Sequence, residues 1–149
     1  LIKYSYEYSK NNFSTKGGAL DYSDGTCTKL SDGKISGTLD SSWVAWSGEQ
    51  PADIAIRFSL NTQVRLLRMH FFPKIPDRGV GAPRVIRVYE TSAMQMRKPR
   101  LIAESKAIKL EDGWMEMPLS MSLPRSCLLI EMEQSDQPYL LLDEIEFEK

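Results

Sequence analysis

The chain is poor in the residues that most often build zinc and redox sites. Its 149 residues include one histidine and two cysteines, and the cysteines show no C-x-x-C spacing. A zinc site made of Cys and His ligands is therefore not expected. Cys27 and Cys127 are compatible with a disulfide that closes a long loop, and also with two separate buried thiols.

Long apolar runs and an excess of charge of one sign are also missing. No run approaches the roughly 18 apolar residues of a membrane span. The net charge is −1, which gives no basic field to attract nucleic acid or an anionic membrane surface. Residue 1 is Leu and no signal-peptide pattern follows it, so we expect a mature product or a domain excised from a larger protein.

The pattern that is present is β nearly throughout. Apolar and polar residues alternate strictly in residues 2–8, and in residues 54–60 large apolar residues alternate with Ala55, Arg57 and Ser59, as in half-buried strands. Residues 64–72 form a longer run that suits a central strand. Further strands are predicted at residues 85–90, 101–103, 114–117, 128–132 and 140–147.

Turn residues separate these runs, and no window has a helical period longer than two turns. Residues 92–98 fit one irregular turn. We therefore predict an all-β fold, with about eight short antiparallel strands in a sandwich or barrel and one domain over residues 1–149. Residues 73–83 form a long irregular loop, and loops of that length on a β scaffold often carry function.

Catalytic motifs are missing from the sequence. It has no Gly-rich phosphate loop, no G-x-S-x-G elbow and no H-E-x-x-H pair. His70 lies in the middle of a predicted strand, where a structural role is expected. Glu131, Glu133, Glu144 and Glu146 alternate with apolar residues, as on outward strand faces. We therefore predict that this domain is not an enzyme.

Several short segments occur in an order that resembles a known family. They are Asp32-Gly33 in residues 28–33, Trp43-x-x-Trp46, the strand at 54–60, residues 82–89 and the close Asp143-Glu144-Ile145-Glu146-Phe147. This order is similar to that of the discoidin family, which comprises coagulation factor V/VIII type C domains and related carbohydrate-binding modules. The resemblance covers about residues 20–149 and implies a galactose-binding-domain-like, eight-stranded antiparallel jelly-roll β-sandwich.

The resemblance also implies a structural calcium between the Asp-Gly loop and the last strand. Carried onto this chain, the carboxylates of Asp32 and Glu144 would be ligands, with backbone carbonyls of Lys29, Lys34 and Asp143 as companions. Calcium commonly mixes such carboxylate and carbonyl oxygens. The family often adds a Thr hydroxyl two residues before the Trp. Here Ser41 has that spacing, whereas Thr38 lies at the more usual distance from Asp32.

In this family the sugar sites lie on loops at one end of the fold, where an aromatic ring stacks on a pyranose and Arg, Asn or His binds hydroxyls. By position, the candidates here are Trp46, Arg78 and Tyr139. Trp46 could instead be a core residue together with Trp43. Trp114 follows an Asp-Gly turn and could line a second surface.

Two functions follow from these observations. The first is a non-catalytic carbohydrate-binding module of a secreted, cell-surface or periplasmic protein, accessory to a glycoside hydrolase or surface protein. Its partners would be an oligo- or polysaccharide and the other domains of the parent protein. The alternative is a protein-interaction or scaffolding β-sandwich without a sugar site, because the fold alone does not decide function.

Overall fold

The structure is a computed structural model that describes residues 2–8, 13, 21–47, 52–91, 100–133 and 137–149. Ten strands form within these ranges. They are β1 (Ser5–Tyr8), β2 (Val44–Ser47), β3 (Ala52–Thr62), β4 (Leu66–Phe71), β5 (Val80–Gly81), β6 (Ile86–Thr91), β7 (Arg100–Ser105), β8 (Trp114–Pro118), β9 (Arg125–Met132) and β10 (Tyr139–Glu148).

The strands form two facing sheets. The first sheet has the order β1-β3-β9-β6-β7, and the second has the order β2-β10-β4-β8, with β5 pairing parallel to β10. All other pairings are antiparallel. The all-β sandwich prediction is confirmed. The strand number is ten rather than eight, because β2 and the two-residue β5 were not expected.

The residues that alternate along the strands pack between the sheets. Ile54, Ile56 and Phe58 of β3 face Leu128 and Ile130 of β9 in one large buried cluster. The predicted central strand at residues 64–72 corresponds to β4, which lies between β10 and β8. The predicted turn at residues 92–98 lies outside the described residues.

A second, smaller apolar cluster covers the outer face of the second sheet. It consists of Trp43, Ala45, Phe72, Val80 and Leu141, with Tyr22, Leu39, Ile75 and Tyr139 packed against it. We call this group the outer cluster. Loop residues contribute several of its members, so the segments at 21–43 and 72–81 cover one side of this sheet.

A bulge interrupts β10 between Leu142 and Glu144. Leu142 and Ile145 are both in the core between the sheets, so Asp143 and Glu144 are two consecutive residues that point away from it. Asp143 and Glu144 bond to backbone N–H groups of the loop at residues 33–36. The two ends of the described chain also meet, because the Ile2 N–H donates to the Phe147 carbonyl at 3.2 Å.

Cys27 and Cys127 are both free thiols, so the second of the two alternatives is right in keeping them separate but wrong in burying both. Cys127 is buried in β9, whereas Cys27 is half-buried in a loop. Among the described residues, no helix is long and apolar enough to span a membrane.

Candidate functional site

The turn that carries Arg78 lies against Tyr139 at one end of the second sheet. A short 3₁₀ turn, Pro76–Arg78, ends at Gly79, which has a φ of 71° and donates its N–H to the Pro76 carbonyl at 3.0 Å. The Gly79 carbonyl then accepts the Tyr139 N–H at 2.8 Å. A Cβ atom on Gly79 would lie 3.5 Å from the Tyr139 ring. The turn is therefore packed against Tyr139, and we call Arg78 and Tyr139 the rim site.

The two rim side chains have different degrees of exposure. The Tyr139 ring is half-buried against the outer cluster, which fixes one part of the ring and leaves the rest in solvent. Arg78 is exposed. Within the described residues, neither the Tyr139 hydroxyl nor the Arg78 guanidinium has a hydrogen-bond or ion-pair partner. The rim site thus combines a half-buried aromatic ring with an exposed guanidinium on the neighbouring turn.

Trp46 does not belong to this site, which corrects the sequence-based prediction for its ring. Its backbone is close, since β2 pairs with β10 through Ser47 opposite Tyr139 and Trp46 opposite Leu140. The alternation along β2 turns the Trp46 ring into the core, where it is 1% exposed and packs on Tyr8 and Phe13. A ring without exposed surface is not available for stacking on a sugar.

Three carboxylates on and beside the first sheet are engaged by one arginine. Arg87 of β6 contacts Glu104 at 2.6 Å, Glu131 at 3.1 Å and Glu133 at 2.5 Å. These hydrogen bonds, the one to Glu133 first, raise the pKa of Arg87, and the bond from Arg87 lowers the pKa of Glu104. Glu133 also donates its backbone N–H to the Val85 carbonyl at the end of the loop that carries Arg78.

Asp32 and Glu144, the two carboxylates of the predicted calcium site, are close in space. The Gly33 N–H donates to both oxygens of Glu144, at 3.1 and 3.2 Å, while Asp32 Oδ1 accepts the Lys34 N–H at 2.9 Å. Glu144 is only 4% exposed. Burial raises the pKa of Glu144 to about 8, and the charges of Asp32, Glu146 and Asp143 act in the same direction, whereas the Gly33 N–H opposes them.

The other predicted calcium ligands, Asp143, Thr38 and Lys29, make hydrogen bonds within the protein. The Asp143 side chain is fully buried, with Oδ1 at 2.6 Å from His70 Nδ1 and Oδ2 accepting the Ser36 N–H at 2.9 Å. The Thr38 carbonyl accepts the Trp43 Nε1–H at 2.8 Å, and Lys29 Nζ donates to the Asp21 carbonyl at 2.7 Å. Within the described ranges, no group of three or more His, Cys, Asp or Glu residues could hold a metal. A calcium ion would therefore depend on Asp32, Glu144 and backbone carbonyls.

The sequence did not reveal the buried pair of His70 and Asp143. His70 is 5% exposed and lies between two indole rings, Trp43 at 5.5 Å and Trp114 at 4.9 Å between ring centroids. Its burial and its contacts support the structural role that was expected for His70. Trp114 is itself covered on another side by Arg68, whose guanidinium carbon lies 4.3 Å from the ring centroid. A carboxylate in a mostly apolar final strand was the one signal that pointed to this pair.

Comparison with known proteins yields matches in structure. No family profile and no curated protein sequence matches the chain. A GH31 CBM32-2 module bound to GalNAc superposes with a TM-score of 0.67 and 14% identity, covering 100% of this chain and 99% of the module. A CBM32-5 module from Clostridium perfringens, in complex with GalNAc-β-1,3-galactose, gives a TM-score of 0.66 and 9% identity over 98% and 95%.

A third similar structure is a GH29 fucosidase from Ruminococcus gnavus in complex with fucose. It has a TM-score of 0.65 and 16% identity, and the match covers 98% of this chain but 25% of the fucosidase chain. This chain therefore spans about a quarter of that enzyme's length. The shared architecture extends over almost the whole chain in all three cases. The chain has the β-sandwich fold of discoidin-like carbohydrate-binding modules.

Proposed function

We propose that this chain is a non-catalytic carbohydrate-binding module whose sugar site is the rim site. The observation that carries the proposal is the packing of the Arg78 turn against the half-buried Tyr139 ring. A fixed ring can cover the weakly apolar C–H face of a pyranose, and free polar groups beside it can bind hydroxyls. Tyr139 thereby takes the stacking role that the sequence suggested for Trp46.

The similar structures support this function through their own ligands. Two of them are modules bound to GalNAc or to GalNAc-β-1,3-galactose, and one is a longer fucosidase chain. By analogy, the chain would hold a neighbouring catalytic domain close to its substrate, which raises the effective concentration of that substrate. A secreted, cell-surface or periplasmic parent protein is part of the proposal, because glycans of this kind are met outside the cytoplasm.

The burial of Trp46 favours the alternative function to a limited extent. Of the two rings proposed as stacking platforms, Trp46 is buried and Tyr139 alone retains exposed surface. A single half-exposed ring is a small platform, and a β-sandwich with such a rim can also serve as a protein-interaction domain. The two functions differ in whether the folded protein retains a glycan.

A glycan-array screen followed by calorimetric titration tests the proposal. We expect a hit with a dissociation constant of order 0.1–1 mM, as is typical of a shallow site with one ring and a few hydrogen bonds. Tyr139→Ala should abolish this binding. The matched control is Tyr89→Ala, which removes a half-buried tyrosine from the outer face of the first sheet. Glycan binding that survives Tyr139→Ala in a folded variant would contradict the rim site.

A further inference from the structure

Beside the outer cluster, the outer face of the second sheet carries another aromatic surface. Residues of β4, β8 and β10 alternate between the core and this face, and four of those on the outer face are Arg68, Trp114, Glu116 and Glu146. We call these four residues the sheet-face site. Resting on the proposed function for the class of ligand, we infer that this site binds a neutral oligosaccharide of two or more pyranose units, separately from the rim site.

Trp114 is the one tryptophan of the three that keeps exposed surface, because Trp43 and Trp46 are 0% and 1% exposed. The guanidinium carbon of Arg68 lies over its ring, 4.3 Å from the centroid. His70 contacts the ring at 4.9 Å between centroids, with 55° between the ring planes. Two neighbours therefore hold the ring while part of its surface stays in solvent, which is what stacking on the C–H face of a sugar requires.

Arg68 is itself fixed by a carboxylate on each side. The strand register places Arg68 opposite Glu116 of β8 and opposite Glu146 of β10. Its Nε donates to Glu116 Oε1 at 3.1 Å, and its Nη1 donates to Glu146 Oε2 at 3.0 Å. The second oxygen of each carboxylate, Arg68 Nη2 and the Trp114 Nε1–H have no hydrogen-bond partner in the described part of the chain. The site therefore offers sugar hydroxyls both acceptors and donors around one ring.

A cleft of about 430 Å³ adjoins the sheet-face site, because Glu146 is one of its lining residues. Lys3, Ser31 and Gly33 line other parts of the cleft. A volume of this size is within the range of small-molecule sites. Neighbouring strands are about 4.8 Å apart, so β8 lies about 10 Å from β10 across β4. This span is wider than one pyranose ring, so an oligosaccharide can place one unit on Trp114 and another at the cleft.

The charges of the site favour a neutral ligand. Glu116 and Glu146 offset the charge of Arg68, and their unpaired oxygens would repel a carboxylate or sulfate on the sugar. The first sheet carries a comparable group, in which Arg87 contacts three glutamates. No aromatic ring lies against the Arg87 guanidinium among the described residues, whereas Arg68 has Trp114. The combination of ring and polar groups therefore distinguishes the sheet-face site.

The expected affinity is low, since Arg68 and His70 already cover part of the Trp114 ring. We expect a dissociation constant of order 1–10 mM for a tetrasaccharide, which is weaker than at the rim site. Binding of this strength is followed by NMR, and the calorimetric titration of the rim site does not register it. A monosaccharide should bind about tenfold more weakly still, because it cannot reach both the ring and the cleft.

The indole N–H signals of the intact chain provide the readout. The probes are cellotetraose, N-acetylated chitotetraose and β-1,4-galactotetraose, each compared with its monosaccharide. We expect at least one tetrasaccharide to shift the Trp114 indole signal, since its N–H has no partner among the described residues. The other two indole signals are internal controls, because the Trp43 Nε1–H donates to the Thr38 carbonyl and Trp46 is enclosed.

Variants assign the binding to this face. Glu116 is 58% exposed in its side chain, so Glu116→Ala should leave the fold intact and weaken tetrasaccharide binding about threefold through one lost acceptor. The matched control is Glu104→Ala, which removes a carboxylate that pairs with Arg87 on the edge strand of the first sheet and should leave this binding unchanged. The Trp114 shift should persist in Tyr139→Ala, since the rim site is a different surface.

The contrary results separate this site from the proposed function. A protein that binds glycans at the rim but shows no Trp114 shift with any tetrasaccharide would overturn the sheet-face site and leave the proposed function standing. A Trp114 shift that disappears in Tyr139→Ala would also overturn it, because the ring would then respond only to the rim. Equal weakening by Glu104→Ala would do the same. A folded chain in which no glycan binds at either surface would remove the proposed function as well.

Discussion

Glu144 keeps a carboxylate at a position from which the fold excludes most water. Its two oxygens accept one backbone N–H, from Gly33, and three other carboxylates lie close enough to repel its charge. The protonated form is favoured in the folded, metal-free protein, because burial raises the pKa of Glu144 from the ordinary 4.5 to about 8. This residue makes the stability of the fold depend on pH.

The pH dependence is a testable consequence of that raised pKa. The stabilisation is complete below pH 4.5 and is lost as the pH rises through about 8, because the unfolded chain releases the proton first. Glu144→Gln removes the ionisable group and keeps an oxygen that can accept the Gly33 N–H. In chelator-treated buffer, urea unfolding should show that the free energy of unfolding of the variant increases relative to that of the wild type as the pH rises. A constant difference across this pH range would contradict the prediction.

Trp46 illustrates how a substitution can affect stability without defining a binding site. The ring is fully enclosed, and its Nε1–H has no partner among the described residues. Trp46→Ala should therefore lower the free energy of unfolding by about 3–5 kcal/mol, through the cavity it leaves. Urea denaturation of the variant measures this loss. Lost sugar binding with unchanged stability would instead show that the ring acts at the ligand.

Strand β8 approaches β4 so closely that one position between them requires glycine. Gly113 precedes β8 in a turn and has a φ of 85°. A Cβ atom there would lie 2.6 Å from the Phe71 carbonyl oxygen, which is a backbone atom that cannot move aside independently. The Phe71 N–H also donates to the Gly113 carbonyl at 2.7 Å, so the contact belongs to the sheet.

Gly113→Ala should accordingly lower the free energy of unfolding by about 2–4 kcal/mol, from backbone strain and the steric clash together. Gly37→Ala is the matched control, since a Cβ atom on Gly37 meets nothing within 4 Å. That control should stay within about 0.5 kcal/mol of the wild type. Thermal or urea unfolding compares the two variants, and equal effects would contradict the close approach of β8 to β4.

The sequence predicted most strands, because each long strand has one face in the core. The period-two pattern at residues 54–60 became β3, and residues 140–147 became most of β10. The sequence pattern did not predict β5, because this strand has two residues and is defined by its pairing with β10. The bulge at Asp143 was also missed, since it depends on partners from β4 and a distant loop.

The candidate site could be predicted in part for the same reason. Arg78 lies in a Pro- and Gly-rich loop, which the sequence shows to connect two strands. Tyr139 is the first residue of β10, so it lies at a strand end. The direction of the Trp46 ring depended on β2, a strand that the sequence pattern did not reveal. Its burial also involves Tyr8 and Phe13, which are far away in the chain.

Calcium remains a prediction about the molecule as a whole, since it would tie the loop after residue 31 to the final strand. If calcium binds between Asp32 and Glu144, chelator should lower the melting temperature and added calcium should restore it, because the ligand stabilises the folded state alone. Asp32→Asn together with Glu144→Gln should abolish the response to calcium. Differential scanning calorimetry decides the point, and an unchanged melting temperature after chelation would refute the site.

The bulge in β10 bears on how the whole fold tolerates changes in chain length. Losing one residue from a core strand normally swaps its inner and outer faces. Here Leu142 and Ile145 both face the core across two intervening residues, so a chain shortened at Asp143 would still bury both. Among the described residues, this change would remove the hydrogen-bond partner of His70 Nδ1 and that of the Ser36 N–H. Asp143 is thus a bulge residue whose side chain links β10 to His70 of β4 and to the loop at Ser36.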